Sequence, residues 1–167
     1  MDVLSHGLWG ATILRDRKLI WWAFLSGMLP DLLGSGSGFI YLLTIGEFWG
    51  RNTWQLLPDW SRELYRLHHS LLSVAVYFVL LTIFLRNYPM LILPYLLHVL
   101  MDVPVHATDM MNRLFYPLVV DSGVYGLNWW EHWWIEAANF CALVIINLVL
   151  FLRRRKRLSR FTESVAS

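Results

Sequence analysis

The chain has little charge and almost no sulfur chemistry. Charged residues fill 16% of its 167 positions, against 57% hydrophobic, a balance poor in charge for a soluble domain. Its single cysteine, Cys141, stands inside an apolar run, which excludes an internal disulfide and any thiolate-based zinc site. Met1 to Leu14 has neither a basic head nor a small-residue cleavage site, so no cleavable signal peptide is expected. There is no internal repeat, and the one low-complexity tract, Gly34-Ser35-Gly36-Ser37-Gly38, reads as a flexible hinge. Several apolar runs also fall short of the ~20 residues that a perpendicular helix needs to cross the hydrocarbon of a bilayer.

What is present points to a membrane. Mean hydropathy is +0.47, and there are ten tryptophans, whose rings favour the headgroup level. Six of the 14 basic residues (Arg153, Arg154, Arg155, Lys156, Arg157 and Arg160) follow directly on the last apolar run. That cluster reads as a positive-inside anchor rather than a nucleic-acid patch, so no nucleic-acid partner is expected. The pattern predicts an all-α integral membrane bundle of about four to five helices, several short and only partly embedded. Its segments are Val3 to Leu14, Leu19 to Leu33 broken at Pro30, Ser70 to Leu85, Met90 to Val103 and Ile135 to Leu152. Phe39 to Ile45 is too short to span, and Glu47 to Arg66 mixes Trp49, Trp54 and Trp60 with charges, as suits the interface plane. Residues 1–158 are expected as one domain, and 159–167 as a disordered cytoplasmic tail. With the basic cluster cytoplasmic, localisation is the cell (inner) membrane. Charge counting then brings the candidate residues below to the extracytoplasmic side.

Ionisable groups inside an apolar chain mark a functional site by default. His98 and Asp102 stand four residues apart, so both project from one helical face and can grip one metal. His106 extends the row by a turn, across a kink expected at Pro104. His132 and Glu136 repeat the four-residue spacing, and His6, Asp31 and His69 stand in or beside other apolar runs. Imidazole with carboxylate and no thiolate suits catalytic Zn²⁺, with Mn²⁺ or Fe²⁺ as alternatives. Each group also has a plainer reading. His98 and Asp102 could hydrogen-bond each other across helices, His69 and Asp31 could serve helix ends or turns, and His68, pointing elsewhere, fits that reading better than a ligand role. His132 and Glu136 lie among Trp129, Trp130, Trp133 and Trp134, a cluster read as an interfacial belt rather than a substrate platform. Asp109 is expected to orient a ligand imidazole, and Arg113 to bind phosphate or lipid headgroups.

Four short motifs in order, Ser5-His6-Gly7…Gly10, Leu29-Pro30-Asp31, His69-Ser70 and His98-x-x-x-Asp102, resemble the membrane-bound metal-dependent hydrolases of bacteria and archaea. The likeness runs from Asp2 to about Pro117. It departs at Leu32-Leu33, where that family often has a second acid, and at His68, where Thr or Ser is usual. The ligand order is also similar to that of zinc-dependent phospholipase C and the single-strand-specific zinc nucleases, all-helical enzymes that cleave phosphodiesters with three zinc ions. By position this resemblance implies Asp31, His69, His98 and Asp102 on one metal, and His106, His132 and Glu136 on a second. His6 would take a third, with Asp102 bridging. The N-terminal tryptophan ligand of those enzymes has no counterpart at Met1, and Asp2 is a possible substitute. The expected activity is hydrolysis of a lipid or small-molecule phosphoester by two or three divalent ions, with Asp31 and Asp102 catalytic. A metal carrier or polar-lined transporter is the non-enzymatic alternative.

Overall fold

The computed structural model describes residues 1–48, 55–107, 112–119 and 126–166. Asp109, Trp49 and Trp54 lie outside the described residues. Every regular element among them is helical: α1 (Val3–Leu14), α2 (Ile20–Leu33), α3 (Ser35–Thr44), α4 (Asp59–His68), α5 (Leu71–Phe84), α6 (Ile92–Asp102) and α7 (Trp133–Ala166). Short 3-10 turns cover Pro89–Leu91, Val103–Val105 and Trp129–Glu131. The chain divides into two units, Met1–His132 and Trp133–Ser167, where the sequence suggested one domain through residue 158. The helical class holds. Of the expected spans, one helix alone among the described residues, Trp133–Arg157, is long and apolar enough to cross a membrane. α4 and α5 reach that length only together, and they are bent by 67° at their junction.

In the first unit, α1, α2 and α6 pack against one another, and α5 also packs on α6. Asp2 starts α1 by accepting the Ser5 amide at 2.9 Å, which satisfies an otherwise orphaned donor. Arg15 ends it in the left-handed conformation. α1 and α2 meet through glycines. A Cβ on Gly27 would lie 2.5 Å from the His6 carbonyl oxygen, and one on Gly7 would press into the Phe24 ring. Such backbone approach is how small residues join membrane-type helices. Ser70 caps α5, and its hydroxyl accepts the Ser73 amide.

Two local expectations are corrected. Pro30 does not break α2, which continues to Leu33. The Gly-Ser tract is no hinge: it forms the first turn of α3, where Gly38 abuts Ser61 so closely that a Cβ would overlap the hydroxyl. Glycine serves close packing there, not freedom. In the second unit α7 runs on past Ser159 to Ala166, where an unstructured tail was expected. Its Arg- and Lys-rich stretch is made of good helix formers.

Polarity is arranged inside out. Ser5, His6, Ser26, His69, Ser70, His98, Asp102 and Asn112 are buried, while Trp21 is 74% exposed and Phe84 75%. The apolar core of the unit is small, built on Ala23, Leu81 and Leu91. Soluble proteins place such residues the other way round.

Candidate metal centre

Three parts of the chain deliver the buried polar groups to one point. Asp31 comes from the last turn of α2, and His69 from the break between α4 and α5. His98 and Asp102 come from α6, four residues apart on one face. One donor atom from each lies within 4.8 Å of all the others. The Nε2 of His69 is 3.4 Å from Asp31 Oδ1 and 3.4 Å from Asp102 Oδ2. The Nε2 of His98 is 3.7 Å from Asp31 Oδ2 and 3.3 Å from Asp102 Oδ2. The two imidazole Nε2 atoms face each other at 3.0 Å. A tetrahedral Zn²⁺ with arms of ~2.05 Å has donor–donor edges of about 3.3 Å, and these separations lie near that value, Asp31 turning one oxygen to His69 and the other to His98.

The ring orientations suit the same purpose. His98 directs Nδ1 at the Gly27 carbonyl, 2.6 Å away, and His69 directs Nδ1 at the Tyr65 carbonyl, 2.9 Å away. Each Nδ1–H donates to its carbonyl, which leaves both Nε2 lone pairs pointing inward, as in histidines that ligate a metal through one nitrogen while a carbonyl holds the other. Two lone pairs and two carboxylates converging in a buried space repel one another unless a cation lies between them. Without a metal a proton takes that place. Burial opposes charging His69, yet the Asp102 and Asp31 carboxylates 3.4 Å away carry its pKa up to about 9. Asp31 Oδ2 and Asp102 Oδ2 are buried with no hydrogen-bond partner among the described residues. The donor set therefore fits a divalent cation.

Asp102 has a second side. Its Oδ1 meets His6 Nε2 at 2.9 Å, the Met1 amino group at 3.0 Å and His106 Nδ1 at 3.5 Å. His6 and Asp102 are within ion-pair distance but are not aligned as a hydrogen bond, and neither nitrogen of His6 has such a partner. The His6 ring stacks on His98, with centroids 3.6 Å apart. His106 is not on the α6 row: the chain turns through Val103–Val105 and becomes extended at residue 106. Its ring nonetheless returns to Asp102. Burial drives its pKa down to about 4 against the pull of the Asp102 carboxylate, so at neutral pH it is the uncharged donor that a metal requires.

The other expected residues are not members of the four-residue group. Asp2 caps α1, accepting from Ser5, rather than standing in for a terminal ligand. His68 faces Tyr95, whose hydroxyl donates to the His68 carbonyl at 3.1 Å. Arg113 belongs to a surface group with Glu63, Arg66 and Tyr116, in which the Tyr116 hydroxyl bond and the two guanidinium charges hold the Glu63 carboxyl below its usual value. His132, half-buried, closes the Trp129–Glu131 turn outside the four-residue cluster. Glu136 lies in the first turn of α7, in the second unit.

Three contributors had no sequence signal. Tyr65 stacks on His69 with centroids 3.9 Å apart, and its hydroxyl donates to Asn112 Oδ1 at 3.0 Å. Asn112 is fully buried and donates to the Val99 carbonyl at 3.4 Å. Gly27 offers only a carbonyl. A cavity of ≈ 370 Å³ opens beside the cluster, lined by Asp31 and His106 together with Leu32, Phe39, Tyr65 and Trp130. Trp129 also lines it, so two tryptophans read as belt face the cavity instead. No protein-family model, no curated protein and no solved structure matches the chain.

Proposed function

We propose that this chain is a membrane-bound, metal-dependent hydrolase that cleaves a phosphoester of a lipid substrate. One observation carries the reading. Two imidazoles with Nδ1 committed to backbone carbonyls point their Nε2 atoms, with two carboxylates, at one buried centre of tetrahedral dimensions. Asp31, His69, His98 and Asp102 would hold one divalent ion, with zinc favoured by the donor set. His6 and His106, on the side of the far oxygen of Asp102 with the Met1 amino group, would be the residues nearest to a second ion. Bound ions at such a site polarise a phosphoryl oxygen and bring the pKa of a bound water to about 7. The chain's own groups do the rest. The Gly27 and Tyr65 carbonyls fix the imidazole orientations, and Asp31, exposed on one edge to the cavity, is placed to accept a proton from an attacking water.

The apolar outer faces of α1, α2 and α5 support embedding of the first unit at the membrane, and α7 supports an anchor. Its basic end would be cytoplasmic and the site extracytoplasmic. Purified protein is expected to contain a stoichiometric transition metal and to hydrolyse a lipid phosphoester. Asp102→Ala should lose both the metal and the turnover. Protein without metal sinks this reading. Protein that keeps its metal but turns over no phosphoester would be a metal carrier.

A further inference from the structure

A second cavity, also ≈ 370 Å³, meets the first at a single residue. It lies between α2 and α5, which both pack on α6 and leave a groove between them. Leu32, beside Asp31 at the end of α2, lines both cavities. Away from Leu32 the wall on α2 is Leu29, Leu25 and Trp22, one helical stripe at three- to four-residue spacing, and Leu80 and Phe84 face it from α5. Ser26 is the polar side chain on the α2 wall, and its hydroxyl is committed to the Leu91 carbonyl at 2.6 Å. The groove thus offers little but hydrocarbon and ends at Leu32, on whose other side lies the cavity lined by Asp31 and His106.

Chemistry selects the occupant. From Trp22 to Leu32 the α2 wall runs ~15 Å at 1.5 Å per residue, apolar along its length and next to Asp31 at its end. A single alkyl chain with a polar head matches both. We propose that the α2/α5 groove seats the alkyl chain of an amphiphilic phosphoester, whose head crosses Leu32 to reach Asp31 and Asp102. The proposal rests on the hydrolase reading for the identity of the head, and the groove itself can be tested without turnover.

The test is photolabelling of the full chain in nanodiscs with a dodecyl phosphate carrying a diazirine at the chain end, mapped by mass spectrometry. Label should concentrate on Leu25, Leu29 and Phe84, and free dodecyl phosphate should compete while butyl phosphate should not. Leu29→Trp should reduce groove labelling to the level of Ile40, an exposed residue on α3, with metal content unchanged. Leu29→Ala, which widens the groove, should keep the labelling and guards against a folding defect. Even labelling of Ile40 and Leu29, or labelling untouched by Leu29→Trp, overturns the groove. Groove labelling without turnover of any phosphoester upholds the alkyl seat and removes the hydrolase reading, and turnover with even labelling does the reverse.

Discussion

Asp102 is buried with its two oxygens facing different neighbours, Oδ2 toward His69 and His98 and Oδ1 toward His6 and His106. A buried carboxylate needs a neutralising partner, and in the metal-free chain Asp102 has the Met1 amino group at 3.0 Å on Oδ1 and the His69 imidazole on Oδ2. His69 decides the proton balance. With its pKa at about 9 in the metal-free chain, it carries a proton at neutral pH that a metal must expel. Metal binding should therefore release about one proton at pH 7, and affinity should rise about tenfold per pH unit until near pH 9. Calorimetry in two buffers of different ionisation enthalpy reads this directly, and binding without proton release would contradict the geometry. Tyr65 gives a second residue-scale expectation. Tyr65→Phe keeps the stack on His69 and the carbonyl that orients it, but strands the Asn112 side chain in the interior. Stability should fall by about 1–3 kcal/mol, measured by thermal melting, with the metal retained. Asn112→Ala should share that loss, because it strands the Tyr65 hydroxyl instead.

At the scale of helices, the candidate site depends on how closely α1 and α2 approach. Gly27 gives its carbonyl to His98 and has no Cβ to push away the His6 carbonyl. On helix propensity alone Gly27→Ala should stabilise by about 1 kcal/mol. Here the added methyl has no room, so a loss of about 1–3 kcal/mol is expected instead. Metal affinity should fall about 10- to 100-fold, as when a partner that orients a ligand is lost. A more stable variant with unchanged metal binding would mean that the two helices do not need this contact. The sequence made part of this legible. Spacing put His98 and Asp102 on one helical face, and the apolar runs located α1, α2, α5 and α6 to within a few residues. Asp31 and His69 joined them by motif, because ligands on separate helices leave no spacing between them to read. Gly27, Tyr65 and Asn112 stayed hidden for a physical reason. They act through carbonyls, a ring face and a buried amide bond, which depend on packing and have no residue-type signature. Pro30 and the Gly34–Gly38 tract misled because local breaker propensity was outweighed by the packing of α2 and α3.

For the molecule as a whole, the first unit has a small polar interior and many exposed apolar side chains, which supports the proposal that it sits at a membrane. α7 adds a helix of spanning length whose far end is the exposed basic run 153–157. Positive charge is retained on the cytoplasmic side, so the residues before Trp133, which include every member of the metal cluster, should lie across the membrane from it. The lone cysteine makes this testable with little background. On a Cys141→Ser chain, Leu118→Cys, 84% exposed in the first unit, should react with a membrane-impermeant maleimide added to intact cells. Ser159→Cys, past the basic run, should react only after the cells are opened. Both cysteines reacting from outside would place the basic end outside as well and leave the protein peripheral. The reversed pattern would turn the site toward the cytoplasm, where a lipid phosphoester would have to be met on the inner leaflet and reach the α2/α5 groove from that side.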